Sequence, residues 1–356
     1  MSQHAPPPDD NATATLLDTA AADTARFVEF LSSRRAYGRG ADPVEVKETH
    51  KSWVFLCGDE VYKLKKPVRN HLQDLSPLAA REQNSLNEVR LNRRLASDIY
   101  LGVKALTRSP TGELAIEGEG AVVDWLVHMR RVPEVCLLDQ MIRRGEVAGE
   151  RIEALLDVLT QFYRGLAPAS VTPDGYVSRF EEQQYENRRI LTIERFPLDR
   201  PAILQSLDAF DSCLSDCRPL LEFRVENGAV VEGHGDLRPE HVCLTDPPVV
   251  IDCLEFSKNL RIVDPFDELT YLGLECALLG APDIKDQLLR GYAARSEVDC
   301  PSELLVFYES YRAFLRARLC LAHLLDPGDQ DEEKWIGKAR AYNAAADRAL
   351  ISLERR

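Results

Sequence analysis

The stretch VVEGHGDLRPEHVCLTDPPVVIDCLEFSKNLRIVDPFD, residues 230–267, constrains this chain more than any other. His234-Gly235-Asp236 opens a polar loop, Val242–Leu244 reads as a short strand, Thr245-Asp246-Pro247-Pro248 turns the chain, and Val249–Ile251 leads into Asp252. Two short strands joined by a tight turn bring their outer ends together, so the pattern predicts a hairpin with a carboxylate at each end. Such a pair suits phosphoryl transfer. A hydroxyl attacking a nucleotide's terminal phosphate needs an acceptor that orients it and takes its proton, while the transferred charge needs a divalent ion held by another carboxylate. Asp236 fits the first role and Asp252 the second. A magnesium ion shared with triphosphate oxygens needs only one or two protein carboxylates, so the sparse ligand set suffices.

A second pattern lies upstream, in KSWVFLCGDEVYKLKKPV, residues 51–68. Trp53–Leu56 and Val61–Lys65 have strand propensity and flank the turn residues Gly58-Asp59, which predicts a hairpin. Side chains alternate along a strand, so Val61, Lys63 and Lys65 share one face. Two lysines on one face form either a solvated edge or a grip for an anion. Residues 81–95, REQNSLNEVRLNRRL, then read as a helix that sets Glu88 beside Leu91 and Leu95 on a partly apolar face. A carboxylate there needs a partner, and Lys63 is the candidate, with Lys65 as the alternative.

The remaining chain sorts into a small sheet-rich part followed by a larger helical one. Residues 1–20 include the polar, proline-rich MSQHAPPPDD and read as a disordered tail. Strand-like runs at 112–117 and 121–129 end at Arg130-Arg131-Val132-Pro133, where a new pattern starts. The expected lobes are therefore 21–130 and 131–356. In the second, Ile152, Leu155, Leu159 and Phe162 recur at helical intervals, and helical material resumes from Pro301 to about Leu353, interrupted by a Pro-Gly-Asp linker at 327–329. Length and composition agree, since 356 residues with 45% hydrophobic side chains fill two modest cores.

A formal charge of −14 disfavours binding to nucleic acid or an anionic membrane. No window approaches the roughly 20 apolar residues of a membrane span, and the N-terminus lacks the basic-then-apolar order of a secretory signal, so a cytoplasmic location is expected. The nine cysteines include no CxxC pair and read as reduced structural thiols.

The order and spacing of these motifs over residues 45–320 resemble the bacterial aminoglycoside phosphotransferase-like group, within the protein-kinase-like and choline kinase-like superfamily. The resemblance rests on YKLKKPV, NEVRLNRRLA, YLGV, HGDLR, IDCLEF and YRAFLRAR. It implies an α+β, two-lobed fold with a small β-rich N-lobe for nucleotide and a larger helical C-lobe for catalysis and acceptor. It implies ATP and Mg2+ as cofactors and a small-molecule hydroxyl as the second substrate. By the same resemblance Lys63 or Lys65 is the nucleotide-phosphate lysine, Glu88 orients it, Asp236 is the catalytic-loop aspartate and Asp252 takes the magnesium ion. The phosphates would be covered around His50–Trp53, with Ser52 as a candidate contact, and around Cys57–Glu60. Asp267 resembles an acid that braces the catalytic loop. Asp264 and Glu255 are further supporting carboxylates, Glu255 serving either the metal or an ion pair with Arg261. His234 is expected to fix the loop backbone through hydrogen bonds, since Asp236 already supplies the proton acceptor.

One departure stands out. The family pattern has asparagine five residues after the aspartate, and this chain has His241. An amide oxygen suits hard Mg2+, whereas imidazole nitrogen suits softer ions. His241 thus joins both the catalytic and the metal candidates, and it motivates a second reading, a kinase-like nucleotide-binding regulator with weak or no catalysis. An atypical protein kinase and a purely structural module are further alternatives. Late arginines such as Arg312, Arg316 and Arg318 read as either helix ion pairs or contacts to an anionic acceptor. The motifs fix neither the acceptor nor the oligomeric state.

Overall fold

A computed structural model describes residues 23–38, 40–69, 73–325 and 331–354. The expected tail at 1–20 and the linker at 327–329 lie outside the described residues. The chain divides after Val132 into two compact units.

The first unit is built on a six-stranded antiparallel sheet. Its strands are β1 (Val44–Glu48), β2 (Ser52–Cys57), β3 (Glu60–Lys65), β4 (Tyr100–Arg108), β5 (Leu114–Ile116) and β6 (Ala121–Arg130), in the spatial order β1-β2-β3-β6-β4-β5. The predicted hairpin is β2–β3, in register from Ser52 opposite Lys65 to Cys57 opposite Glu60. Alternation along β3 decides what covers each face. Tyr62 and Leu64 point to a core with Phe55, Leu106 and Leu126, sealed by Phe27, Phe30 and Leu31 of helix α1 (23–31). Val61, Lys63 and Lys65 take the opposite face, where both lysines reach helix α2 (Leu78–Asn92).

Helix α2 starts three residues before the expected span and stops three before its end. Pro77 provides the extended residue from which the helix starts. At the other end Arg93 turns back to donate to the carbonyls of Tyr100, at 2.8 Å, and Leu101, tying the helix exit to β4. Leu95 lies past the helix and is still buried.

The second unit is mostly helical. Its helices are α3 (Leu138–Arg144), α4 (Gly149–Arg164), α5 (Pro173–Leu191), α6 (Arg200–Glu226), α7 (Lys258–Arg261), α8 (Pro265–Leu278), α9 (Asp283–Ser296), α10 (Ser302–His323) and α11 (Glu332–Glu354). Ile152, Leu155, Leu159 and Phe162 form the buried stripe of α4, as their spacing predicts. An aromatic core of Phe180, Phe210, Phe307, Tyr311 and Phe314 joins α5, α6 and α10, with ring centroids 4.8–5.7 Å apart. Helix α8 is buried from Pro265 to Cys276. Polar side chains on such a helix must find partners inside the protein.

Two short ribbons interrupt this helical unit. Strands β7 (Val231–Glu232) and β10 (Ile262–Val263) pair, and β8 (Val242–Cys243) pairs with β9 (Val249–Val250), all antiparallel. The second ribbon is the predicted hairpin ending in Asp252.

Candidate functional site

In the first unit, one carboxylate gathers two ammonium groups. Glu88 is fully buried on α2, its Oε1 accepts from Lys63 at 2.9 Å, and its Oε2 pairs with Lys65. The sequence left Lys63 and Lys65 as alternatives, and the structure brings both to the same acid. They differ in access, since the Lys65 side chain is 1% exposed and that of Lys63 16%. Ser52 faces Lys65 across the β2–β3 register, and its buried hydroxyl has no hydrogen-bond partner among the described residues.

In the second unit the loop after β7 is held from below by α8. Glu268 Oε2 accepts from the His234 amide at 3.0 Å and from the Tyr163 hydroxyl at 2.8 Å, while Oε1 accepts from the Gly235 amide. Gly233 lets that carboxylate approach, because a Cβ there would stand 2.5 Å from Glu268 Oε2. Gly235 turns the chain at φ 89°, a conformation that favours glycine. The resemblance assigned the loop brace to Asp267, and the structure corrects this to its neighbour. Successive helical residues point about 100° apart, so Glu268 meets the loop while Asp267 faces α10 and binds Arg312 through two contacts of 2.7 Å.

His234 is buried, and both of its ring nitrogens meet backbone groups. Its Nδ1 accepts from the Asp236 amide at 3.3 Å, which leaves the ring hydrogen on Nε2 to reach the Ile251 carbonyl at 2.9 Å. Burial pushes the His234 pKa below the ordinary histidine value, consistent with a neutral ring.

Asp236 stands at the end of this loop with its side chain 24% exposed. Tyr271 donates to Oδ1 at 3.1 Å, and Arg238 lies 3.9 Å from Oδ2. Burial raises the Asp236 pKa, but the electrostatic influence of the neighbouring His241, Arg238, Arg316 and His234 side chains outweighs it and holds the carboxyl below its usual value. Burial, with Asp236 nearby, drives the Tyr271 hydroxyl far up, so this phenol remains a donor.

His241 joins the two ends of the hairpin. It closes a 3-10 turn, Pro239–His241, immediately before β8. Its Nδ1 lies 2.8 Å from the Asp236 carbonyl and 3.8 Å from Asp236 Oδ2, while its Nε2 lies 3.6 Å from Asp252 Oδ2. Asp252 is 48% exposed on its side chain and adopts a left-handed backbone at φ 60°. The predicted convergence of Asp236 and Asp252 therefore runs through the histidine, with each carboxylate within 4 Å of one ring.

Asp264 is held within the scaffold. Asp264 caps α8 by accepting from the Phe266 amide and holds Arg224 at 2.5 and 2.9 Å. Arg261, the proposed partner of Glu255, binds Glu232 at 2.6 Å and the Leu254 carbonyl at 2.6 Å. Glu255 itself is half-buried. Arg316 forms an ion pair with Glu275 at 3.2 Å, whereas Arg318 donates hydrogen bonds to the neutral Gln183. Sequence reasoning missed Glu268, Tyr271 and Arg238. A signal existed for two of them: Asp264, Asp267, Glu268, Tyr271 and Glu275 recur at three- and four-residue steps, a polar stripe on a helix that is otherwise apolar.

No protein-family model matches the chain. Uncharacterized proteins of Mycobacterium tuberculosis and Mycobacterium bovis are 31% identical to it over 279 residues, which is 78% of this chain and 54% of each relative. The chain thus spans about half the length of the curated relatives it matches. Among solved structures, a choline/ethanolamine kinase family protein from Mesorhizobium loti superposes with a TM-score of 0.51 at 15% identity, covering 94% of this chain and 99% of that one. A choline kinase of Streptococcus pneumoniae gives 0.51 at 14%, with coverage of 92% and 99%. A thermostable mutant of aminoglycoside phosphotransferase APH(4)-Ia gives 0.52 at 12%, with coverage of 91% and 98%. At such identities the likeness concerns the fold alone, and the chain has the two-lobed α+β, protein-kinase-like fold seen in these structures.

Proposed function

We propose that this protein is a phosphotransferase that moves the terminal phosphoryl group of ATP to a hydroxyl of a small molecule. The observation that carries the reading is the loop carboxylate of Asp236. It is ionised, partly exposed, and aimed by Tyr271 and Arg238, while a second exposed carboxylate, Asp252, stands beside the same histidine. Asp236 would accept the hydrogen bond of the attacking hydroxyl, orient it in line and receive its proton. Tyr271 keeps one oxygen occupied, which leaves Oδ2 as the acceptor. Arg238 would offset negative charge developing near that oxygen.

The donor set fits a divalent cation. Asp252 Oδ2 and His241 Nε2 lie 3.6 Å apart, and a cation that also binds phosphates needs no larger protein set. Asp252 and His241 would hold it, and when bound it supplies electrostatic stabilisation of the transferring group. Mg2+ is the ion the sequence leads one to expect. Lys63 is the candidate phosphate contact in the first unit, since Lys65 is enclosed against Glu88 while Lys63 keeps part of its side chain accessible.

A second reading, a nucleotide-binding regulator with little catalysis, is motivated by His241 in place of asparagine. Calorimetric titration with a non-hydrolysable ATP analogue, with and without divalent cation, tests both. Cation-dependent binding that Asp252→Asn abolishes supports the transferase. Cation-independent binding favours the regulator, and absence of binding under both conditions rejects both.

A further inference from the structure

The His241 ring has a defined orientation. In a neutral imidazole one nitrogen carries hydrogen and the other a lone pair. The Asp236 carbonyl can only accept, so Nδ1, at 2.8 Å, carries the hydrogen. The lone pair then sits on Nε2, the atom 3.6 Å from Asp252 Oδ2. A backbone carbonyl accepting from the far ring nitrogen is the arrangement that orients metal-binding histidines and raises their basicity.

The spacing agrees. Two donors about 2.1 Å from a shared ion and roughly 90–120° apart stand about 3.0–3.6 Å from each other. The backbone holds both donors in place. Val242 pairs with Val250, the Ile251 amide donates to the His241 carbonyl at 2.9 Å, and the left-handed turn at Asp252 sets the direction of its side chain. Among the described residues no cluster of three or more histidines, cysteines or acids could hold an ion unaided. A pair of donors needs further oxygens from outside the chain, as nucleotide phosphates provide.

We propose that His241 Nε2 and Asp252 Oδ2 form a mixed nitrogen and oxygen site that prefers a first-row transition divalent ion, such as Mn2+, over Mg2+. The proposal rests on the nucleotide-dependent reading above. Mg2+ favours all-oxygen surroundings and sheds water reluctantly, whereas imidazole is a good ligand for first-row transition ions. An asparagine at position 241 would offer an oxygen and remove that bias.

The test uses the full chain with the β,γ-methylene analogue of ATP, whose phosphate bridge contains no nitrogen. Mn2+ is titrated by electron paramagnetic resonance, and pulsed spectra are read for nitrogen bonded directly to the ion. The expected result is nucleotide-dependent Mn2+ binding with an imidazole nitrogen coupling that His241→Asn removes. That substitution should weaken Mn2+ about tenfold or more and change Mg2+ affinity less than about threefold. Its amide can still donate to the Asp236 carbonyl, and thermal melting checks its fold. The wild-type spectrum decides even if the variant does not fold. Nucleotide-dependent Mn2+ that Asp252→Asn removes, but with no directly bonded nitrogen, overturns this proposal and leaves the nucleotide reading intact. A nitrogen coupling that persists in folded His241→Asn also overturns it. Absence of any nucleotide-dependent Mn2+ binding overturns both.

Discussion

Two groups of carboxylates in the helical unit differ in how fully they are committed. Asp264, Asp267 and Glu268, around the start of α8, are 0% exposed, and each accepts at least three hydrogen bonds or binds an arginine through both oxygens. Asp236 and Asp252, on the ribbon loops, keep 24% and 48% of their side chains exposed. A buried carboxylate held by such partners can hold structure but cannot receive a proton or a ligand without disturbing them. One with an accessible oxygen can do so. The comparison separates scaffold from chemistry on grounds of burial and hydrogen bonding, and its two sides should fail differently when altered.

The largest effect is expected at Asp236. The isosteric change Asp236→Asn removes the proton acceptor but retains an oxygen for Tyr271, so turnover of an identified acceptor should fall about 10²–10⁴-fold. Melting temperature should stay close to that of the parent. Single-turnover kinetics beside a melting curve separates the two, and full activity in this variant rules out the assigned role.

The opposite signature is expected at Asp267. Asp267→Asn leaves the buried Arg312 guanidinium without its anion, a loss of about 3–5 kcal/mol in unfolding free energy. Urea denaturation measures it. The double substitution Asp267→Leu with Arg312→Leu should recover much of the loss, because an apolar pair removes the uncompensated charge. If the single variant retains full stability, the scaffold side of the comparison is wrong.

These two sites were not equally legible in the sequence. The hairpin with Asp252 just past its end could be read because strand propensity, turn residues and spacing are local properties, whereas Asp236 lies beyond a 3-10 turn that separates it from β8. The β3 face was legible for the same reason, and period-two alternation placed Lys63 and Lys65 together before any partner was known. The choice between the lysines was not, because it depends on how deep each lies against α2. Assigning the loop brace to Asp267 failed by one residue. The sequence shows two adjacent acids, while the rotation of α8 about its axis decides which faces the loop, and packing against α10 sets that rotation. Arg238 was missed because an arginine in a polar loop looks ordinary until its distance to Asp236 is known, and the helical spacing that includes Tyr271 does not show which group its hydroxyl meets.

Glu268 tests whether the scaffold side reaches the loop itself. In Glu268→Gln one of the two carboxylate oxygens becomes an amide donor and faces a donor, either the Gly235 amide or the His234 amide and Tyr163 hydroxyl together. A cost of about 1–3 kcal/mol follows from one unsatisfied buried group. Hydrogen exchange at the Gly235 amide should accelerate more than exchange in the α10 core, which a uniform loss of stability would not produce.

The smallest effect is expected where the two sides meet. Tyr271 lies on α8 with the scaffold acids, yet its hydroxyl donates to Asp236 at 3.1 Å. Tyr271→Phe removes that donor and almost no volume. Because Asp236 is partly exposed, water can replace the lost bond, so the cost is about 0.5–1.5 kcal/mol, or roughly two- to tenfold in rate. The direction of the change identifies the role. If Tyr271 aims the acceptor oxygen, kcat falls while KM for nucleotide and the melting temperature hold. If it merely packs the helix, the melting temperature moves and kcat does not, and Tyr271 then belongs wholly to the scaffold.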